Sequence, residues 1–171
     1  MTGHLGLGSN LGDRRARLQA AVDGLAARGV RITASSSTYE TDPVGDVLDQ
    51  PAFLNACVAI ETELAPLDLL AACKAVERAA GRETDPSAPG YVRHGPRPVD
   101  VDVLLLGTAA HAGEGLTVPH PALLQRRFVL IPLLELDFGL TTPGGAALAD
   151  ALAALPVTEG VRRAGPPLKV A

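Results

Sequence analysis

Apolar residues recur along the chain with two periods, and the switches between them mark its elements. Leu18, Ala21, Val22 and Leu25 stand at i, i+3, i+4 and i+7, one face of a helix, and Gly29 ends it. Asn10 is the expected cap of this helix, with Asp13 near its positive end. Before it, His4–Gly8 reads as a short strand closing at a glycine turn. Val30–Tyr39 is β-branched and Ser/Thr-rich and predicts a second strand. FLNACVAIET (residues 53–62) alternates, with Leu54, Ala56, Val58 and Ile60 on one face and Phe53, Asn55 and Cys57 on the other. Pro66 opens a second helix striped by Leu69, Cys73, Val76 and Ala80, and Gly81 stops it. VDVDVLLL, starting at Val99, is another strand. A Gly-rich hairpin over 107–115, short helices in LTVPHPALLQRRFVLIPLLEL and a helical stretch over 146–155 follow.

The order is β-α-β, β-α-β plus C-terminal additions. Two such units predict a ferredoxin-like α+β sandwich, with a four-stranded antiparallel core sheet and helices on one face. At 171 residues, 47% hydrophobic and 20% charged, the chain suits one folded domain, expected over 1–155. The Pro- and charge-rich tail, 156–171, is expected to be frayed and mobile. A net charge of -4 argues against nucleic acid as the main partner. Cys57 and Cys73 fit no disulfide or metal spacing and read as buried free thiols. With neither a signal-peptide pattern nor a spanning apolar run, a cytoplasmic setting without membrane partner is expected. The chain is also expected to be a monomer.

Charge changes the picture most at the strand from Val99. Asp100 and Asp102 share the face opposite Val99, Val101 and Val103, about 6.5–7 Å apart along the strand. Aspartate is depleted in strands, and like charges so placed repel. Either the pair faces open water or it holds cations. Arg97 precedes it directly, and only Lys74 and Lys169 among 15 basic residues are not arginine, the side chain whose planar fork grips phosphate. There is no phosphate-cradling GxxxxGK[ST] loop. The glycines of GLGLGSNLGD are spaced G-x-G-x-x-x-G, so a strand-to-helix turn explains them without a dinucleotide. A triphosphate, if handled here, is met by arginines and metal. Among only five aromatic residues, Phe53 shares a strand face with Asn55, a ring beside an amide that suits a flat heterocycle.

GLGSNLGD, TDPVG followed by QPAFLNA, LLAACKAVERAAGR, RHGPRPVDVDVLLLG and LTVPHPALLQRRFVL occur in this order. In them the chain resembles the 6-hydroxymethyl-7,8-dihydropterin pyrophosphokinase family of folate biosynthesis, over roughly Leu5 to Leu155. The resemblance implies a ferredoxin-like fold with ATP, two Mg²⁺ and a pterin in one groove, and transfer of diphosphate from ATP to the pterin hydroxymethyl group with release of AMP. It implies Asp100 and Asp102 as magnesium ligands, catalytic together with Arg82 and Arg97. It assigns Asn55, Phe53, Phe128, Thr41, Pro43, Val44 and His94 to the pterin. Arg82, Arg97, His120 and Arg126 fall to the phosphates, Glu77 to the nucleotide side, and Leu70, Val103, Leu116 and Thr117 to adenosine. The chain departs from the family pattern at His94, where an aromatic residue is common, at Gly115, where a basic one is common, and in the loop from Arg82 to Arg93, which carries Asp85 and two prolines and is slightly long. The competing expectation is a non-catalytic ferredoxin-like regulatory module binding a ligand or metal, in which the aspartates and arginines would not converge. An RNA-binding module is disfavoured by the acidic balance and the lack of an aromatic-rich strand motif.

Overall fold

The computed structural model describes all residues except 84, 90, 114, 158, 159 and 171. The elements in chain order are β1 (Thr2–Ser9), α1 (Arg14–Ala26), β2 (Val30–Ser35), β3 (Thr38–Thr41), β4 (Phe53–Thr62), α2 (Pro66–Ala79), β5 (Asp100–Leu105), β6 (His111–Gly113), β7 (Leu116–Val118), a 3-10 turn (Leu123–Gln125), α3 (Arg127–Leu136), α4 (Leu148–Ala154) and β8 (Val161–Gly165). In α1 the buried residues are Leu18, Ala21, Val22 and Leu25, the stripe set by the helical repeat. Its cap is Asp13, whose carboxylate accepts from Ala16 N at 3.0 Å. Asn10 lies too far upstream to serve, and its side chain is engaged elsewhere. Helix α2 starts at Pro66, where a missing N–H costs nothing, and ends just before Gly81 at φ 87°.

The main sheet is antiparallel with strand order β5-β1-β4-β3-β8, and β2 also pairs with β4. It has six strands, not four. The expected single strand over Val30–Tyr39 is split into β2 and β3 at Ser36 and Ser37. Ser36 N donates to Cys57 O, and its Oγ accepts from Cys57 N at 3.0 Å, so a tertiary contact draws the backbone inward there. The expected hairpin sits further on than its glycines suggested, with β6 pairing β7 through Leu116–Val118.

Helices cover both faces of the sheet, which corrects the one-sided expectation. Leu5, Leu7, Val58, Ile60, Val101 and Val103 form one core with α1 and α2. Cys57, Leu104, Val129, Leu130 and Leu133 form a second beneath α3, where Leu148 of α4 joins. Glu135 ties α3 to the edge of the sheet, accepting from Ser37 Oγ and Tyr39 Oη, each at 2.7 Å. The described tail residues from 160 to 168 are packed, not frayed. Strand β8 pairs with β3, Leu168 is buried in the first core, and Arg15 donates to Pro166 O and Pro167 O at 2.9 Å. Backbone pairing and one apolar anchor outweigh the local composition.

Candidate active site

Strand β1 runs between β4 and β5, and its register decides what faces the cleft. Gly8 stands opposite Asn55 on β4 and Asp100 on β5, and Gly6 stands opposite Cys57 and Asp102. Opposed residues share a sheet face, so Asn55, Gly8 and Asp100 make one row and Cys57, Gly6 and Asp102 the next. The middle of each row carries no side chain. What results is a trough of about 260 Å³ floored by glycine. A methyl group on Gly8 would come within 2.8 Å of Asn55 Oδ1. These glycines are therefore mid-strand floor residues; the turn before α1 falls at Gly12, φ 64°.

At one end of the trough, Asp100 is held by arginine. Arg82 Nη1 contacts its Oδ1, and Arg97 reaches its Oδ2 with Nε at 2.9 Å and Nη2 at 2.8 Å. Burial alone would raise the Asp100 pKa, but Arg97 and Arg82 outweigh it and hold the carboxyl below its usual range. Behind this pair, the fully buried Glu77 accepts from Arg82 at 2.7 Å, Lys74 Nζ at 2.9 Å and Val101 N at 2.8 Å. It locks α2, Arg82 and the β5 backbone together. Burial pushes the Glu77 pKa up against the pull of these partners.

Asp102 is different. Among the described residues no arginine or lysine lies within ion-pair distance of it, and the nearest basic side chain is His120, with Nε2 at 4.0 Å from Oδ2. Burial, then the charge of Asp100, pushes its pKa up to about 6. His120 Nδ1 accepts from Ala122 N at 3.1 Å, so the neutral ring carries its proton on Nε2, the nitrogen toward Asp102. Burial and then Arg126 lower the His120 pKa, which favours that neutral form. The two aspartates thus titrate in opposite directions. Asp100 is neutralised by two arginines, while no arginine or lysine lies within ion-pair distance of Asp102 among the described residues.

At the other end, Asn55 Nδ2 donates to Thr41 Oγ1 at 2.6 Å, which leaves one N–H of the amide uncommitted. Phe53 from β4 and Phe128 from α3 line the trough, each with a guanidinium over its ring: Arg97 at 5.0 Å from the Phe53 centroid and Arg126 at 5.6 Å from that of Phe128.

Ten residues expected from sequence line the trough: Thr41, Val44, Phe53, Asn55, His94, Arg97, Asp100, Asp102, Arg126 and Phe128. Pro43 lies between two lining positions. Arg82 and Glu77 stand behind Asp100, and His120 beside Asp102. The set expected for adenosine is apart from the trough: Val103 and Leu116 are buried in the first core, Leu70 packs against it and Thr117 is exposed on β7. His94 is the one non-glycine residue at positive φ, 59°, among those described. Sequence reasoning missed Gly6 and Gly8 as floor, the cleft residues Asp42, Asp46 and Gln50, and Lys74. Only Lys74 carried a usable signal, as a scarce lysine one helical turn before Glu77.

Residues 4–138 match the family model described as 7,8-dihydro-6-hydroxymethylpterin-pyrophosphokinase (HPPK). The 2-amino-4-hydroxy-6-hydroxymethyldihydropteridine pyrophosphokinase of Methylorubrum extorquens is 46% identical over 153 residues, 89% of this chain and 92% of that protein. The enzyme of the same name from Pseudomonas aeruginosa is 42% identical over 161 residues, 94% of each. Among solved structures, HPPK-DHPS in complex with substrates superposes with a TM-score of 0.67 at 12% identity, over 90% of this chain and 43% of that one. Wild-type HPPK-DHPS of Plasmodium falciparum gives 0.63 at 13% identity, over 89% and 44%. These larger proteins share the fold, and the chain spans less than half their length. Since its similarity to the two bacterial relatives runs almost the full length of each, the chain belongs to the 7,8-dihydro-6-hydroxymethylpterin-pyrophosphokinase family.

Proposed function

We propose that the protein transfers diphosphate from ATP to the hydroxymethyl oxygen of 6-hydroxymethyl-7,8-dihydropterin and releases AMP, a step of folate biosynthesis. One observation carries the reading beyond the relatives' names. A single trough has an amide and two rings at one end, and paired aspartates with converging arginines at the other. A regulatory module has no need of that convergence. Two strand spacings of about 4.8 Å separate the Asn55 and Asp100 backbones, comparable to a bicyclic ring with its one-carbon arm. The strand order β5-β1-β4-β2 and the two βαβ units support a ferredoxin-like core, extended by β3 and β8.

In this reading Asn55 holds the polar edge of the pterin, Phe128 stacks on its face, and Phe53, Thr41, Pro43, Val44 and His94 complete the pocket. Arg82, Arg97, Arg126 and the Nε2–H of His120 receive phosphate oxygens. Elements α2, β5 and β7 pack on one another; Leu70 and Thr117 on them bound the adenosine, with the buried Val103 and Leu116 beneath and Glu77 bracing that side. The pterin hydroxyl oxygen attacks the β-phosphorus in line and gives up its proton to solvent, as the bond from the β-phosphorus to the bridging oxygen of AMP breaks and its electron pair leaves on the α-phosphate. Catalysis is positioning and charge stabilisation. Two Mg²⁺ ions suit the donor set, because Mg²⁺ takes one or two carboxylates and completes its shell with phosphates and water, and Asp102 has no arginine of its own. Asp100 and Asp102 would hold them, and the ions would supply charge neutralisation for the triphosphate and a lowered pKa for the hydroxyl.

ATP binds first in this scheme, and the segments 42–51 and 82–94 then enclose both substrates against water. Only small molecules are partners, and the setting is a cytoplasmic monomer; no helix among the described residues is long and apolar enough to cross a membrane. Incubation with Mg-ATP and the hydroxymethyl-dihydropterin tests the reaction. Stoichiometric AMP and pterin diphosphate are expected. Their absence would return the chain to the regulatory-module reading.

A further inference from the structure

Asn10, passed over by α1 as a cap, is buried at 2% exposure, and both hydrogen-bonding atoms of its amide are used. Its Nδ2 donates to Gln50 Oε1 at 2.9 Å and to Pro51 O at 3.0 Å, both at the end of the segment that bounds the pterin side. Its Oδ1 accepts from Arg97 N at 2.8 Å, and its own N–H donates to Arg97 O at 3.2 Å. Arg97 is the residue that grips Asp100 and covers Phe53. Gln50 closes the circuit, with Nε2 donating to Val47 O at 2.7 Å and to His94 O at 3.1 Å. One amide pair therefore joins segment 47–51 to segment 94–97.

We propose that Asn10, acting with Gln50, is a positioning residue that couples the two substrate ends, so that nucleotide seated against Arg97 orders the segment bounding the pterin. This rests on the reaction proposed above and goes beyond it. Asn10 is absent from the trough lining, so it acts through Arg97 and Gln50 and not by touching substrate. A buried amide bonded on both sides has little freedom: displacing Arg97 displaces the acceptors on the other side or breaks a buried bond.

The replacement Asn10→Asp separates the two sides. It keeps the acceptor for Arg97 N and loses the donor to Gln50 and Pro51. Pterin affinity is to be measured with and without a non-hydrolysable ATP analogue and Mg²⁺, and the ratio formed within each protein, so that a uniform loss of affinity cancels. For the parent a coupling of about 5- to 150-fold is expected, falling to near unity in N10D. Gln50→Ala, on a partly exposed loop position, is the second variant should N10D fail to fold, and is expected to lower the ratio likewise. A ratio in either folded variant equal to the parent's overturns the proposal, as does a parent ratio of one. If the parent forms no AMP the proposed reaction itself fails, a result read in a separate assay.

Discussion

At the scale of one side chain, stability and the proposed metal binding pull apart at Asp102. Its folded pKa of about 6 exceeds the ordinary 3.8, so between those values the native state binds more protons than the unfolded chain, and stability falls as pH rises through the window. Asp102→Asn should therefore be more stable than the parent at pH 8 in chelator, by on the order of 1 kcal/mol once its partial exposure is discounted. The gap should close below pH 4, and urea titrations at the two pH values check this. Turnover of the same variant should fall by orders of magnitude at ordinary magnesium. Phe128→Ala should weaken pterin binding by about 1–3 kcal/mol through lost ring burial, measurable by calorimetry; unchanged affinity would make the ring core. At this scale much was legible. The alternation of β4 and β5 put Phe53 with Asn55 and Asp100 with Asp102 on the faces they occupy. Gly6 and Gly8 were not legible, because their meaning lies in register with residues far along the chain, and local spacing suggested a turn.

Between elements, local signals succeeded where a single face decides and failed where a neighbour does. The stripe of α1 matched its buried residues, and Leu69, Cys73 and Val76 of α2 did too, because a helix's apolar face is written in its own sequence; Ala80 instead follows the helix half-buried, and Ala72 and Glu77 are buried beside the stripe. The break between β2 and β3 depends on Ser36 bonding to Cys57, and β8 is an edge strand with three exposed residues in VRRAG, so neither shows an alternation to read. The apolar residues on the second face of β4 did carry a trace of the covering helix α3. Leu168→Ala should cost about 2–5 kcal/mol, the range for emptying a buried leucine site, and lower the urea midpoint. A frayed tail would instead make the replacement neutral.

For the molecule as a whole, the trough is assembled from β1, β3, β4, β5, α3 and the segments between them, so ligand binding should be felt as global stability. At about 100 times its Kd an ATP analogue with magnesium should add about 2.7 kcal/mol to unfolding. Replacing magnesium with chelator should remove most of that gain in a thermal melt, since Asp100 and Asp102 would then repel the polyphosphate; an undiminished gain would argue against the carboxylates as ligands of the ions. The packing of Leu168 and β8 has a further consequence for vectorial synthesis. Every element they seal emerges from the ribosome before they do. Until residue 168 is free, the nascent chain holds an open β3 edge and an unfilled apolar socket, the kind of surface that recruits chaperones or a second unfinished copy.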